Sequence, residues 1–216
     1  MGQRHRSSPA VIWRHTLNEA CRLAVAALKF DKASVAGMQS FVEVAFGGAD
    51  AKPDALLPWN PTTPVAIPGT PLRIKGYIDR LDLSEDGKRA QVPDYKTGRV
   101  IGSDVVIGGG AELQRSLYAF AVKALLGSDV AVRTAFLYPG EPVECDLAEP
   151  AAFMADLTVH LARAHASLLA GNCLPGPDAG DRYDQLLFLL PVNAPATYCK
   201  RKAVTIHAAL GAAASV

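Results

Sequence analysis

Apolar residues recur at helical spacing over residues 9–30, with Val11, Trp13, Leu17, Ala20, Leu23 and Leu28 on the repeat, and predict a first helix. Phe41-Val42-Glu43-Val44-Ala45-Phe46 alternates instead and predicts a strand, with Val42, Val44 and Phe46 on one face and Glu43 on the other. In residues 47–71, Pro53, Pro58, Pro61, Pro64, Pro68 and Pro71 exclude a helix or a central strand. That stretch is expected to be a long surface loop with a short extended piece near 65–67. Alternation returns in residues 76–83, Ser84-Glu85-Asp86-Gly87-Lys88 supplies an Asp-Gly turn, and a second strand follows, so residues 76–98 predict a hairpin.

Gly108-Gly109-Gly110 then serves as a hinge into a helix that ends near Gly127-Ser128. Residues 130–138 read as a buried strand, hairpinned to 143–147, and a second amphipathic helix covers about 150–170. Pro175-Gly176-Pro177 opens an irregular tail, which continues through apolar residues 186–190 to a terminal helix over about 197–210. The order is helix, three strands, helix, strand.

The chemistry concentrates in the hairpin. Asp94 and Lys96 are two positions apart on one strand and share a face. Folding the hairpin back brings Asp79, on the first strand, roughly opposite Asp94. Hard oxygen ligands of this kind suit Mg2+ or Mn2+, which take one or two carboxylates and keep waters that phosphate oxygens displace. A lysine beside them can orient or help deprotonate an attacking water, or stabilise charge developing on a phosphate. An isolated Asp-x-Lys on a strand is ordinarily a solvated charge pair, so the surrounding pattern decides. Arg80 and Asp82 read as a structural ion pair.

Gly76-Tyr77-Ile78-Asp79-Arg80-Leu81-Asp82, followed by Asp94-Tyr95-Lys96-Thr97-Gly98, resembles the PD-(D/E)xK nuclease superfamily, and within it the RecB/AddB-like branch. Gln114 and Tyr118, at i and i+4 on one helix face, resemble that branch's Q-x-x-x-Y element. The resemblance implies an α/β fold with a restriction-endonuclease-like αβββαβ core, a mixed central sheet flanked by helices, and extra C-terminal helices. It implies one nuclease-like domain over 1–216, with a core of about 10–148 and a helical extension of about 149–216. Asp79 and Asp94 would be metal ligands, joined by the Tyr95 carbonyl and an upstream glutamate, for which Glu43 is the choice and Glu19 the fallback. Lys96 would be the catalytic lysine, with Gln114 and Tyr118 holding the substrate strand.

Two features depart from that branch. Its members usually carry a histidine on an early helix, whereas His15 stands 28 residues before Glu43 without the flanking pattern, as in the C-terminal part of a longer protein. Some relatives hold an iron-sulfur cluster through four cysteines. Here Cys21, Cys145, Cys173 and Cys199 are isolated, so no cluster is expected, and no His/Cys spacing suits zinc.

Composition adds limits. The 216 residues suit a single domain, and 22 Lys+Arg against 21 Asp+Glu leave a net charge of +1 and no global basic signal. Phosphate contacts would therefore be local, with Arg73-Ile74-Lys75, Lys88-Arg89 and Lys200-Arg201-Lys202 as candidates. Scattered cysteines fit a reducing compartment, and neither a secretory signal nor a membrane-length apolar run is present, so a cytoplasmic location is expected. The expected activity is metal-dependent hydrolysis of DNA by an exonuclease in repair or recombination, beside a helicase subunit. The rival is a catalytically inactive DNA-binding or scaffold module of a helicase-nuclease complex.

Overall fold

The computed structural model describes residues 10–30, 37–100, 113–147, 150–172, 191 and 195–210. In chain order these form α1 (Ala10–Phe30), β1 (Met38–Phe46), β2 (Val65–Ala66), β3 (Arg73–Ile74), β4 (Gly76–Ser84), β5 (Arg89–Tyr95) and α2 (Gln114–Leu126). There follow β6 (Ala131–Tyr138), β7 (Val143–Asp146), α3 (Pro150–Leu169) and α4 (Pro195–Leu210). One five-stranded sheet runs in the order β1-β4-β5-β6-β7. β1, β4 and β5 pair antiparallel, and α2 is the crossover that lets β6 lie parallel to β5. β7 returns antiparallel on β6. This is the mixed, helix-flanked sheet expected from the sequence, while Gly108-Gly109-Gly110 and residues 175–190 fall outside the described residues.

The main core gathers Val44, Phe46, Ile78, Leu81, Ala90 and Val92 from the sheet with Ala121 and Val122 from α2. The proline-rich segment is the expected exposed loop, with β2 as its short extended piece, but it also sends apolar side chains into the core. Val65 and Ile67 are 0% and 2% exposed, Leu57 and Trp59 pack on the core, and β2 pairs with β3. Trp59 Nε1 donates to the Ala45 carbonyl at 2.8 Å, fastening the segment to β1. Prolines forbid regular ladders but not burial, and this loop carries its own apolar side chains inward. Gly47 starts it at φ +68, where an added Cβ would lie 2.0 Å from the Ile74 carbonyl oxygen.

Alternation slips along one row of the sheet. In β1, Phe41 and Val44 are both buried although three residues apart, and Val42 is 66% exposed instead of joining Val44 and Phe46 inside. The slip falls at Glu43, whose φ of +51 is the one positive value at a non-glycine among the described residues. β4 slips alongside it, with Ile78 and Leu81 both fully buried and Asp79-Arg80 between them, while the pairs Phe41↔Leu81 and Val44↔Ile78 hold the register.

β5 places Pro93 one residue before that row. The Lys96 amide donates to the Leu137 carbonyl on β6, so by alternation Gln91, Pro93 and Tyr95 turn their main-chain groups toward β4. Proline has no amide to give, and β4 and β5 are paired only at Leu83↔Ala90 and Asp82↔Gln91. Continued three residues further, that register would set Asp79 across from Asp94. The strands part there instead.

Left-handed backbone costs a non-glycine residue about 1–2 kcal/mol, so the usual strand preference for alanine over glycine inverts at this row. By chemical denaturation, Glu43→Gly is expected to be more stable than Glu43→Ala by about 1 kcal/mol.

Candidate active site

Where β4 and β5 part, a chain of polar contacts runs from the sheet to α2. Asp94 is 4% exposed, and the Lys96 ammonium lies 2.9 Å from its Oδ2. The contact is a short ion pair. Lys96 Nζ also donates to Gln114 Oε1 at 2.8 Å, Gln114 Nε2 donates to the Tyr118 hydroxyl at 2.9 Å, and that hydroxyl donates to the Tyr77 carbonyl on β4 at 2.8 Å. Gln114 and Tyr118 meet because they are one helical turn apart. Lys96 is thereby fixed from two sides, by a carboxylate on its own strand and an amide on the crossover helix.

The electrostatics show which groups share this space. Burial pushes the Asp94 carboxyl above the ordinary carboxylate range, against the pull of the Lys96 ammonium, and the charge of Asp79 adds to the rise. Burial likewise raises the Tyr118 phenol, opposed by its bond to Gln114 and reinforced by the charges of Asp79 and Asp94. Asp79 itself is exposed. One buried and one exposed carboxylate form a donor set suited to a hard divalent cation that retains several waters. Tyr95, between Asp94 and Lys96, turns its carbonyl toward β4 by the same alternation, on the side where Asp79 lies.

Not every candidate joins this group. Glu43 stands in the row of Asp79, but its carboxylate is exposed and 3.7 Å from Lys52 Nζ on the proline-rich segment. Among the described residues no three His, Cys, Asp or Glu side chains gather as a metal site, so this conformation does not bring Glu43 to the Asp79–Asp94 pair. Glu19 pairs with Arg22 on the exposed face of α1 at 2.6 Å, and His15 is exposed on the same helix.

Behind the site, Arg80 and Asp82 are the expected ion pair at 3.0 Å, and Arg80 Nη1 also donates to the Tyr95 hydroxyl at 2.8 Å. Asp82 is fully buried and receives the Ser40 hydroxyl. These bonds link β1, β4 and β5 beside the slipped row, where ladder bonds between β4 and β5 are missing. Arg115 and Phe136 also border the site, with the Lys96 ammonium 5.0 Å from the Phe136 ring centre. Sequence reasoning passed over both, because an arginine beside Gln114 and an apolar residue in a strand carry no motif signal. The one available cue is that the parallel register sets Phe136 beside Asp94.

The raised Asp94 carboxyl fixes the sign of a pH effect. With the folded pKa above the unfolded one, the ionised group weakens the metal-free fold, and the penalty fades as pH falls through the raised pKa toward the ordinary value. Asp94→Asn is therefore expected to melt higher than the parent at pH near 7 without metal, with the difference closing toward a pH of about 4; thermal melts across that range are the check.

No curated protein sequence matches the chain. Among solved structures, the crystal structure of SSO0001 is similar at 17% identity and a TM-score of 0.32, covering 67% of this chain. The chain spans 59% of that protein's length. The family model of the PD-(D/E)XK nuclease superfamily matches residues 2–204, a span that includes the slipped row, both carboxylates, Lys96 and the Gln114–Tyr118 helix. The chain belongs to the PD-(D/E)XK nuclease superfamily.

Proposed function

We propose that this chain is a metal-dependent deoxyribonuclease of the RecB/AddB-like branch, acting as an exonuclease in DNA repair or recombination. The observation that carries the reading is the continuous contact chain from Asp94 through Lys96 and Gln114 to Tyr118. It joins the acid and lysine of the D-Y-K-T-G element to both residues of the Q-x-x-x-Y element.

Asp79, Asp94 and the Tyr95 carbonyl would hold Mg2+ or Mn2+. A cation bound there supplies a water of lowered pKa and neutralises charge on the scissile phosphate. Lys96, held by Asp94 and Gln114, presents its ammonium toward the same space, where it can donate to a phosphate oxygen or orient the attacking water. Gln114 keeps that ammonium from turning away, and Tyr118, tied to the β4 backbone, keeps Gln114 in place. Glu43 would add a ligand only after leaving Lys52. A cytoplasmic setting with a helicase subunit delivering DNA ends fits a chain whose described helices include none able to cross a membrane.

The test is degradation of linear single- and double-stranded DNA, beside closed circles, with Mg2+ or Mn2+. Activity is expected on linear substrates only, to vanish with a chelator, and to fall by about a hundredfold or more in Lys96→Ala and in Asp94→Ala. Activity that survives both substitutions contradicts the assignment. A parent that binds DNA but cleaves none at any metal concentration supports an inactive binding module instead.

A further inference from the structure

Arg115 is the buried charged group that the reading above leaves without a task. It lies in the first turn of α2 at 2% exposure. Two terms oppose a cation there: loss of hydration, and the positive end of the helix dipole. Its guanidinium sits 4.3 Å from the Phe136 ring centre, and Nη1 donates to the Cys145 carbonyl on β7 at 3.1 Å. The same ring receives the Lys96 ammonium at 5.0 Å. Phe136 is beside Asp94 in the β5–β6 register, and the helix neighbour of Arg115 is Gln114, the acceptor for Lys96.

We infer that Arg115 is a positioning residue for Lys96, acting by two routes that converge on one ammonium. Through Phe136 it fixes the aromatic surface on which Lys96 rests. Through the β7 carbonyl it pins the first turn of α2, so that Gln114 Oε1 stays within reach of Nζ. Arg115 is buried away from substrate, and its effect passes entirely through its neighbours. The inference rests on the nuclease reading for its kinetic consequence alone; the placement of Lys96 is measurable without any activity.

The experiment is reductive methylation of the folded protein, with Lys96 modification quantified by mass spectrometry against Lys123, which is exposed on the same helix. In Arg115→Met the Lys96-to-Lys123 ratio is expected to rise about three- to fivefold, the scale set by one cation–π contact. Phe136→Leu, which removes the ring and keeps an apolar side chain, is expected to raise it similarly; if Arg115→Met does not fold, Arg115→Gln, read in the same way, decides the matter. In an active parent, kcat on DNA falls about ten- to a hundredfold in Arg115→Met with KM within about twofold. A lowered melting temperature with an unchanged ratio would make Arg115 merely structural and overturn the inference. An inactive parent whose ratio still rises upholds it while removing the nuclease reading.

Discussion

A proline in a central strand leaves a ladder position that no amide can fill, and the candidate site occupies that position. β4 and β5 pair through Asp82↔Gln91, and the next group that β5 turns toward β4 belongs to Pro93. Had the ladder continued, Asp79 and Asp94 would face each other across a closed antiparallel pair, two like charges with no room for an ion. With the strands parted, Asp79 is exposed and Asp94 is buried, yet each remains within electrostatic reach of the other. Beside it, Glu43 of β1 takes a left-handed backbone, and the buried positions of β4 slip by one residue.

Such a row needs outside support. One brace lies behind it, where Ser40, Arg80, Asp82 and Tyr95 bond across three strands. The other lies in front, where Gln114 and Tyr118 bridge from α2 to Lys96 and to the β4 backbone. Each net hydrogen bond contributes only about 1 kcal/mol, but an unpaired buried polar group costs about 1–3, so the braces act mainly by leaving few groups unmet. Asp94 carries a separate cost. Burial raises its carboxyl above the ordinary range against the pull of Lys96, a local cost that a bound divalent cation would relieve, which couples ligand binding to stability at the site.

Much of this was legible because the signals were local. The Asp-Gly turn set the hairpin, two-residue spacing put Asp94 and Lys96 together, and i,i+4 spacing joined Gln114 to Tyr118. What escaped was non-local or conformational. The positive φ of Glu43 has no sequence signature, and its Lys52 partner comes from a segment read as a loop with a short extended piece. Val65, Ile67 and Trp59 in that segment pack inward because the β2–β3 pair and the Trp59–Ala45 bond hold them there. Arg115 escaped for the opposite reason. Arginine is almost never fully buried, and the tertiary placement of Phe136 and β7 beside this one is not written in the local sequence.

The proposed nuclease chemistry requires a divalent cation between Asp79 and Asp94, where the strands part. Anomalous scattering from a crystal of the protein soaked in Mn2+ tests it most directly. A peak is expected about 2.0–2.3 Å from carboxylate oxygens of both Asp79 and Asp94, with Lys96 still against Gln114. A soaked crystal with no Mn2+ at that pair, or with the ion held by other side chains, would contradict it.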